Sequence, residues 1–117
     1  MIDTALAEAD YCYLTTTGRV SGKPHEIEIW FGLRGDTLYM LSGGGTRADW
    51  VRNIKKAPAV KVRIGETTFA GTARIIEGTE EDETARSLLV EKYSPGYSGD
   101  LSGWRRTALP VAVDLGG

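Results

Sequence analysis

Short segments rich in β-favouring residues alternate with glycine-containing turns through most of this sequence, and this pattern limits the fold more than any other feature. A helix of ordinary length would need a sustained apolar period of 3.6 residues, which few stretches here provide. Six strands are predicted, over residues 12–17, 27–33, 38–41, 59–64, 68–76 and 108–115.

Helical patterns occur at three places. Residues 3–9 contain good helix formers and predict a short helix. Thr46 is predicted as the N-cap of a second helix, with Asp49 as its capping-box partner, and that helix runs to about Lys56 before Pro58. A third helix is predicted after the Gly78-Thr79 pair, and its buried stripe comprises Ala85, Leu88, Leu89 and Tyr93.

The predicted order is β-β-β-α-β-β-α-β, after the short N-terminal helix. Most strands are joined by hairpins, which favours an antiparallel sheet, and six short strands with two outer helices suggest a small barrel. The lack of regular βαβ alternation argues against a parallel dinucleotide-binding sheet. The expected class is therefore mainly β (α+β).

Length, charge and cysteine content restrict the class of protein. A chain of 117 residues suits a single domain, predicted over 1–117, and its net charge of −2 does not favour a nucleic-acid-binding face. The single cysteine, Cys12, cannot form an internal disulfide, which favours a reducing compartment. The N-terminal residues do not form a secretory signal, and no apolar run reaches the roughly 20 residues that cross a bilayer. We expect a cytoplasmic protein with no membrane span.

The turn at residues 18–23 is unusually rich in polar donors. It holds Arg19, Ser21 and Lys23 between two glycines, and glycines let successive amide groups point into one concavity. Arginine and lysine both suit a phosphate. The pattern predicts either an anion site or a solvated hairpin loop.

A second glycine-rich segment, residues 42–47, precedes the helix predicted from Thr46. Three consecutive glycines are costly in chain entropy for a simple connector, although a flexible connector remains the alternative. A helix N-terminus attracts anions, and a bound anion would explain Arg47 at that end. The ligand hypothesis is favoured here, and two such loops at the ends of neighbouring strands would surround one anionic ligand.

Several single residues have two interpretations. Trp50 is predicted as a core anchor, with stacking on a planar ring as the alternative, and Asn53 either holds a loop carbonyl or faces solvent. His25 is the only histidine, so a Ser-His-Asp triad or a multi-histidine metal site is not expected. Cys12 lies within a strand and is predicted to be a core residue. Along residues 25–31, the side chains of Glu26, Glu28 and Trp30 share one face, which either meets solvent or lines a site.

Aromatic residues surround the glycine-rich loop near residues 94–103. Tyr93, Tyr97 and Trp104 could form a lid over an apolar substrate, or could equally pack the loop against the body. Arg105 and Arg106 are either a surface pair or a further anion contact.

Five segments, in order, resemble the deazaflavin-dependent nitroreductases, also called F420H2-dependent quinone reductases. They are "TTTGRVSGKPHEIEIWF", "SGGGTRADWVRNIKKAPAVKVRIG", "ARIIEG", "LLVEKYSPGY" and "LPVAVDL". The resemblance runs from about Leu14 to Leu115. It implies a six-stranded antiparallel split β-barrel like that of the pyridoxamine-phosphate oxidases, with two flanking helices.

The resemblance also implies a function. It implies an oxidoreductase that uses reduced coenzyme F420 to transfer a hydride to a quinone, a nitro compound or an activated enone. Tyr93 and Tyr97 match substrate-side tyrosines and are the candidate proton donors. Combined with the loop patterns, it predicts cofactor-binding residues, namely Thr17, Arg19, Ser21, Gly22, Lys23, Ser42, Gly43, Gly44, Gly45, Arg47, Trp50 and Asn53.

Alternatives of the same fold remain open at this stage. One is an FMN-dependent reductase, and another is a non-catalytic flavin- or haem-binding protein. The expected partners are a small-molecule substrate and a second copy of the chain in a homodimer, with peripheral access to membrane quinones and no nucleic acid.

Overall fold

The protein, described here by a computed structural model over residues 2–116, has one sheet of seven antiparallel strands. Residues 1 and 117, the two ends of the predicted domain, lie outside the described residues. The strands are β1 Cys12–Thr17, β2 Pro24–Ile29, β3 Gly32–Arg34, β4 Thr37–Ser42, β5 Ala59–Ile64, β6 Thr67–Ile75 and β7 Leu109–Gly116. Their order across the sheet is β2-β1-β5-β6-β7-β4-β3.

The predicted strand 27–33 is divided into β2 and β3, which gives seven strands where six were expected. The two pieces are separated only by Trp30 and Phe31, yet they pair at opposite ends of the sheet order. A single stretch of chain therefore serves both edges, as corner strands do when a sheet curls on itself. The mainly antiparallel half-barrel confirms the predicted fold class.

The helices differ more from the prediction. They are α1 Asp49–Lys56, α2 Glu81–Tyr93 and α3 Ser102–Thr107, and 3₁₀ turns cover Thr4–Glu8, Gly45–Arg47 and Ser94–Gly96. The prediction of Thr46 as the N-cap of α1 was wrong: Thr46 belongs to a 3₁₀ turn, and Ala48 is the N-cap, without a side-chain hydrogen bond. Helix α3 lies partly in the predicted loop, so a third helix flanks the sheet. This helix was not predicted because Gly103, Arg105 and Arg106 interrupt any apolar periodicity in its sequence.

The core lies inside the curled sheet. Alternate side chains of β1 and β5 are buried, and Phe31 at the strand interruption is fully buried. Helix α1 closes one opening with Val51 and Ile54. Helix α2 packs Ala85 and Leu89 against the outer side of β4 and β7, forming a second cluster with Tyr39 and Ala112. These two layers fix the positions of the loops that carry the candidate site.

Candidate active site

A polar groove lies between the β1–β2 turn and helix α1. It has a volume of about 480 Å³, within the range of small-ligand sites. Its lining residues come from β1, the turn, β2 and α1: Thr16, Gly18, Arg19, Val20, Ser21, His25, Glu26, Ile27, Asp49, Trp50 and Asn53. Four predicted binding residues, Arg19, Ser21, Trp50 and Asn53, are therefore brought together here. Trp50 is both a lining residue and a partner of the core.

Asn53 joins the turn to the helix. Its amide nitrogen donates to Thr16 Oγ1 at 3.0 Å, and its Oδ1 accepts from the Arg19 main-chain N–H at 3.1 Å and from Arg19 Nη1 at 2.9 Å. The Asn53 side chain is buried, so these bonds are not exchanged with water. Asn53 thus holds a loop amide and is buried, so it matches neither predicted alternative, a held loop carbonyl or a solvent-facing side chain.

Arg19 is held against the first turn of α1. Its Nη2 pairs with Asp49 Oδ1 at 3.1 Å, and its Nη1 also reaches the Asp49 carbonyl oxygen at 3.4 Å. Lys56 Nζ donates to the Arg19 carbonyl oxygen at 2.9 Å. A guanidinium has five N–H donors, so the Nε–H and one Nη2–H of Arg19 remain for a ligand.

The rest of the turn is shaped by main-chain bonds. The Gly18 N–H donates to the Lys23 carbonyl at 2.8 Å, and the Gly22 N–H donates to the Gly18 carbonyl at 2.9 Å. Gly22 has a φ of 73°, a conformation that glycine adopts without strain. Ser21 Oγ accepts from the Lys23 N–H at 3.1 Å, which leaves the Ser21 hydroxyl hydrogen to donate elsewhere. Thr17, at the end of β1, is exposed beside this turn.

The glycine-rich segment 42–47 lies away from the polar groove's lining. Ser42 is buried, and its Oγ donates to the Gly45 carbonyl at 3.1 Å, which fixes the turn. A Cβ placed on Gly43 would lie 3.8 Å from Trp104, so this segment adjoins the aromatic residues described next. Gly44 precedes the 3₁₀ turn Gly45–Arg47, and Arg47 is exposed. The two predicted loops therefore adjoin two different depressions.

The second depression is an aromatic cavity of about 440 Å³. Its lining combines rings, aliphatic side chains and two carboxylates: Tyr11, Glu28, Ile29, Trp30, Leu41, Tyr97, Asp100, Leu101 and Trp104. Trp30 stands edge-on to Trp104 at 5.7 Å and to Tyr97 at 6.0 Å between ring centroids. Sequence reasoning identified Tyr97 and Trp104 but not Tyr11. The strand face shared by Glu28 and Trp30 was the signal that pointed to a lined site.

Tyr93 supports this cavity from behind. Its ring stacks on Trp30 at 4.1 Å with an interplanar angle of 3°. Its hydroxyl accepts from the Phe31 N–H at 3.0 Å and is 2.8 Å from the Asp10 carbonyl and 3.1 Å from the Phe31 carbonyl. Burial raises the pKa of this phenol to about 12. The Tyr93 hydroxyl thus satisfies the main chain at the point where β2 ends.

Tyr97 differs from Tyr93 in exposure. Its side chain is 46% exposed and lies at the mouth of the aromatic cavity. Of the two predicted donors, only Tyr97 lines the aromatic cavity.

Two other titratable residues take simple roles. Cys12 is fully buried in the core, as predicted, and burial raises the pKa of its thiol to about 12, so it stays protonated. His25 is exposed on β2 and lines the polar groove, with its ring beneath Gly18.

No helix among residues 2–116 is both long and apolar enough to cross a membrane. Solved structures support the fold. A Listeria innocua protein assigned to the pyridoxamine 5′-phosphate oxidases aligns over 96% of this chain and 88% of its own, with a TM-score of 0.68 and 18% identity.

Two solved structures have higher sequence identity. An F420-H2 dependent reductase (FDR-A) is 27% identical over 92% of this chain and 94% of its own, with a TM-score of 0.71. A structure described as a domain-swapped dimer is 28% identical over 92% of this chain and 80% of its own, also with a TM-score of 0.71. A family model described as F420H(2)-dependent quinone reductase matches residues 1–116.

Proposed function

Because the chain belongs to the F420H2-dependent quinone reductase family, and is thus an oxidoreductase that uses coenzyme F420, we propose that it reduces a quinone, a nitro compound or an activated enone. The observation that carries this choice is the position of the aromatic cavity beside the polar groove. Strand β2 and the residue that follows it border both, with Glu26 in one lining and Trp30 in the other. Glu26 and Trp30 are four residues apart, which corresponds to about 13 Å along an extended chain.

The donor set of the polar groove fits the anionic part of the cofactor. Arg19 has two unused N–H groups and Ser21 has an unused hydroxyl hydrogen, and Lys23 adds a positive charge from the same turn, outside the groove's lining. We assign these residues, with Gly22, Thr17 and Asn53, to the phosphate-bearing part of F420. We also assign to the cofactor site Ser42, Gly43, Gly44, Gly45 and Arg47, of which Gly43 lies next to Trp104 of the aromatic cavity, and Trp50, which lines the groove.

The aromatic cavity fits a flat hydride acceptor. Trp30, Trp104 and Tyr97 give it apolar walls, and Leu41 and Leu101 exclude water from its base. The bound reduced coenzyme supplies the hydride. The chain's part is to orient the acceptor and deliver one proton, which completes the reduction of a quinone to a hydroquinone. Tyr97 is the assigned donor of that proton, at its hydroxyl, and Tyr93 positions Trp30.

A titration of the purified protein with F420 and, separately, with FMN tests the cofactor assignment. We expect quenching of F420 fluorescence at micromolar concentration and much weaker binding of FMN. Oxidation of F420H2 would then be followed with menadione, a nitroaromatic and cyclohexenone. Preference for FMN would contradict the F420 assignment, and tight F420 binding without turnover of any acceptor would contradict the proposed reaction and favour a storage role.

Assembly and location extend the proposal. We expect a homodimer, since a relative of 28% identity is described as a domain-swapped dimer, and a cytoplasmic enzyme that meets membrane quinones only at the bilayer surface. Light scattering after size-exclusion chromatography would give the mass in solution. A mass of 12.7 kDa, that of one chain, would contradict the dimer.

A further inference from the structure

The aromatic cavity has a charge pattern that the proposed reaction does not require. Two of its lining residues, Glu28 and Asp100, are acidic, and among the described residues that line it none is lysine, arginine or histidine. The polar groove next to it contains Arg19 and His25 but also Glu26 and Asp49, and Asp49 pairs with Arg19. Of the two depressions on strand β2, the aromatic cavity is therefore the one whose charged lining residues are all acidic.

Neither carboxylate is neutralised by an ion pair within the described part of the chain. Glu28 accepts a hydrogen bond from the Tyr13 hydroxyl at 3.0 Å. Asp100 accepts from the Ser102 N–H at 2.9 Å and from the Ser102 hydroxyl at 3.0 Å. These bonds, led by the main-chain one, and the nearby charge of Arg106, which forms no ion pair with Asp100, hold the pKa of Asp100 below its usual range, so the group is ionised at neutral pH.

From these observations we infer that the cavity selects planar aromatic acceptors that are neutral or positively charged, and that it discriminates against anionic ones through Glu28 and Asp100. Aromatic faces attract cations through their quadrupole, so the rings of Trp30, Trp104 and Tyr97 act in the same direction as the carboxylates. An anionic acceptor would meet two like charges at the rim. This inference rests on the proposed function, because it takes the cavity to be the acceptor site.

Three matched nitroaromatics test the charge preference. They are para-nitrobenzyl trimethylammonium, para-nitrobenzyl alcohol and para-nitrobenzyl sulfonate, which share the reducible group and differ in charge. With F420H2 as the reductant, we expect kcat/KM to decrease in that order, with the cation roughly threefold to tenfold above the anion for each carboxylate involved. The ratio should shrink as salt is added, because salt screens exposed charges.

Charge-removing variants locate the cause. Glu28→Gln and Asp100→Asn should each lower the cation-to-anion ratio of kcat/KM by roughly threefold to tenfold, and the double variant should lower it further. Asp36→Asn is the matched control. Asp36 precedes the first residue of β4, whereas Leu41 of the cavity lining lies near the other end of that strand, roughly 17 Å away along it. This distance exceeds the Debye length of about 8 Å at physiological salt. Its ratio should stay within twofold of the unmodified protein.

The outcomes separate this inference from the proposed function. The nitro compounds could be reduced with a cation-to-anion ratio of kcat/KM near one, or with a ratio that is the same in the two carboxylate variants as in the unmodified protein. In either case the charge preference is wrong and the reaction stands. If none is reduced, nitro compounds are not acceptors of this enzyme, and quenching of tryptophan fluorescence still ranks their affinities for the cavity. If the cation binds more tightly than the anion, and this difference is lost in Asp100→Asn, the charge preference is supported without the reaction. Equal affinities would overturn the charge preference.

Discussion

The polar groove and the aromatic cavity border the same strand but are held together differently. The groove depends on directional bonds, in which one buried amide, Asn53, connects β1, the turn and α1. The cavity depends on ring contacts, in which Trp30 is fixed between Tyr93 behind it and the rings of Tyr97 and Trp104. A hydrogen-bonded site fixes atoms to within tenths of an ångström, whereas contacts between rings tolerate shape changes.

This difference matters for the two molecules that the enzyme binds. A cofactor of constant structure suits the groove, and acceptors of varied shape suit the cavity. Single substitutions should therefore have larger effects in the groove than in the cavity.

The largest effect is expected at Asn53. Replacing Asn53 by alanine leaves the buried Thr16 hydroxyl and the Arg19 N–H without their partner, so we expect a loss of about 2–4 kcal/mol in the free energy of unfolding. Urea denaturation followed by circular dichroism measures it. Arg52→Ala, at the exposed preceding position of α1, is the control and should change stability by less than about 0.5 kcal/mol. Equal losses in both variants would show that the groove does not depend on this amide.

Arg19→Ala should weaken F420 binding by about 1–3 kcal/mol, because it removes charge-assisted hydrogen bonds. Arg19→Lys should recover only part of the affinity, since lysine keeps the charge without the planar fork that Asp49 and Asn53 orient. Fluorescence titration gives both values, with Arg34→Ala on β3 as the control for loss of one positive charge. Affinity equal to that of the unmodified protein would remove Arg19 from the cofactor site.

Tyr97→Phe should lower kcat about tenfold and leave F420 affinity and stability unchanged, because only the hydroxyl at the cavity mouth is removed. Tyr93→Phe is the informative counterpart. It leaves the Phe31 N–H without its acceptor and should cost about 1–2 kcal/mol of stability. A Tyr97→Phe enzyme with full turnover would eliminate this hydroxyl as the proton donor, and an unchanged stability of Tyr93→Phe would contradict its structural role.

The smallest effect is expected outside both depressions, at Arg74. This guanidinium binds Asp114 at 2.7 Å and Glu81, and its hydrogen bonds hold the pKa of each carboxyl below its usual range. Their stabilising contribution is therefore present above the unfolded pKa of about 4 and is lost as pH falls through the lower folded values. The side chains are a third to a half exposed, so solvent screening limits Arg74→Met to a loss of roughly 0.5–1 kcal/mol at pH 7.

Unfolding curves of the unmodified protein and of Arg74→Met between pH 2 and pH 7 would check this. The difference in stability should be greatest at neutral pH and should fade below about pH 4. Arg52→Met provides a matched loss of one exposed cation. A difference that is constant with pH, or that grows in acid, would contradict the assignment of these carboxyls.

Local patterns predicted part of the fold well. Strands β1 and β5 have the predicted bounds, because each is an alternating run that stops at a glycine or a proline. The division between β2 and β3 could not be predicted, since it depends on Tyr93, which lies 62 residues further along the chain. The start of α1 was missed for a local reason: Thr46 has the chemistry of a cap, but the preceding glycines allow a 3₁₀ turn.

The candidate site divides in the same way. The turn at residues 18–23 could be identified because its donors are adjacent in sequence, and Arg19, Ser21, Trp50 and Asn53 do meet in one groove. The aromatic cavity gathers residues from 11 to 104, and no local spacing indicates that Tyr11 meets Trp104. The assignment of both places to F420 and its acceptor stays a prediction, for which the titrations above are the test.

The bond between Phe31 and Tyr93 has a consequence for the order of folding. Residues 16–53 contain every side chain that lines the polar groove, and the Asn53 contacts there span 34 and 37 positions, so they can form earlier than a contact of longer range. The contact between residues 31 and 93 spans 62 positions and requires α2 to have docked. We expect the groove amides to gain protection first in pulsed hydrogen exchange during refolding, and the Phe31 amide last. The part of the molecule that would select the acceptor is then completed only after the part that would hold the coenzyme.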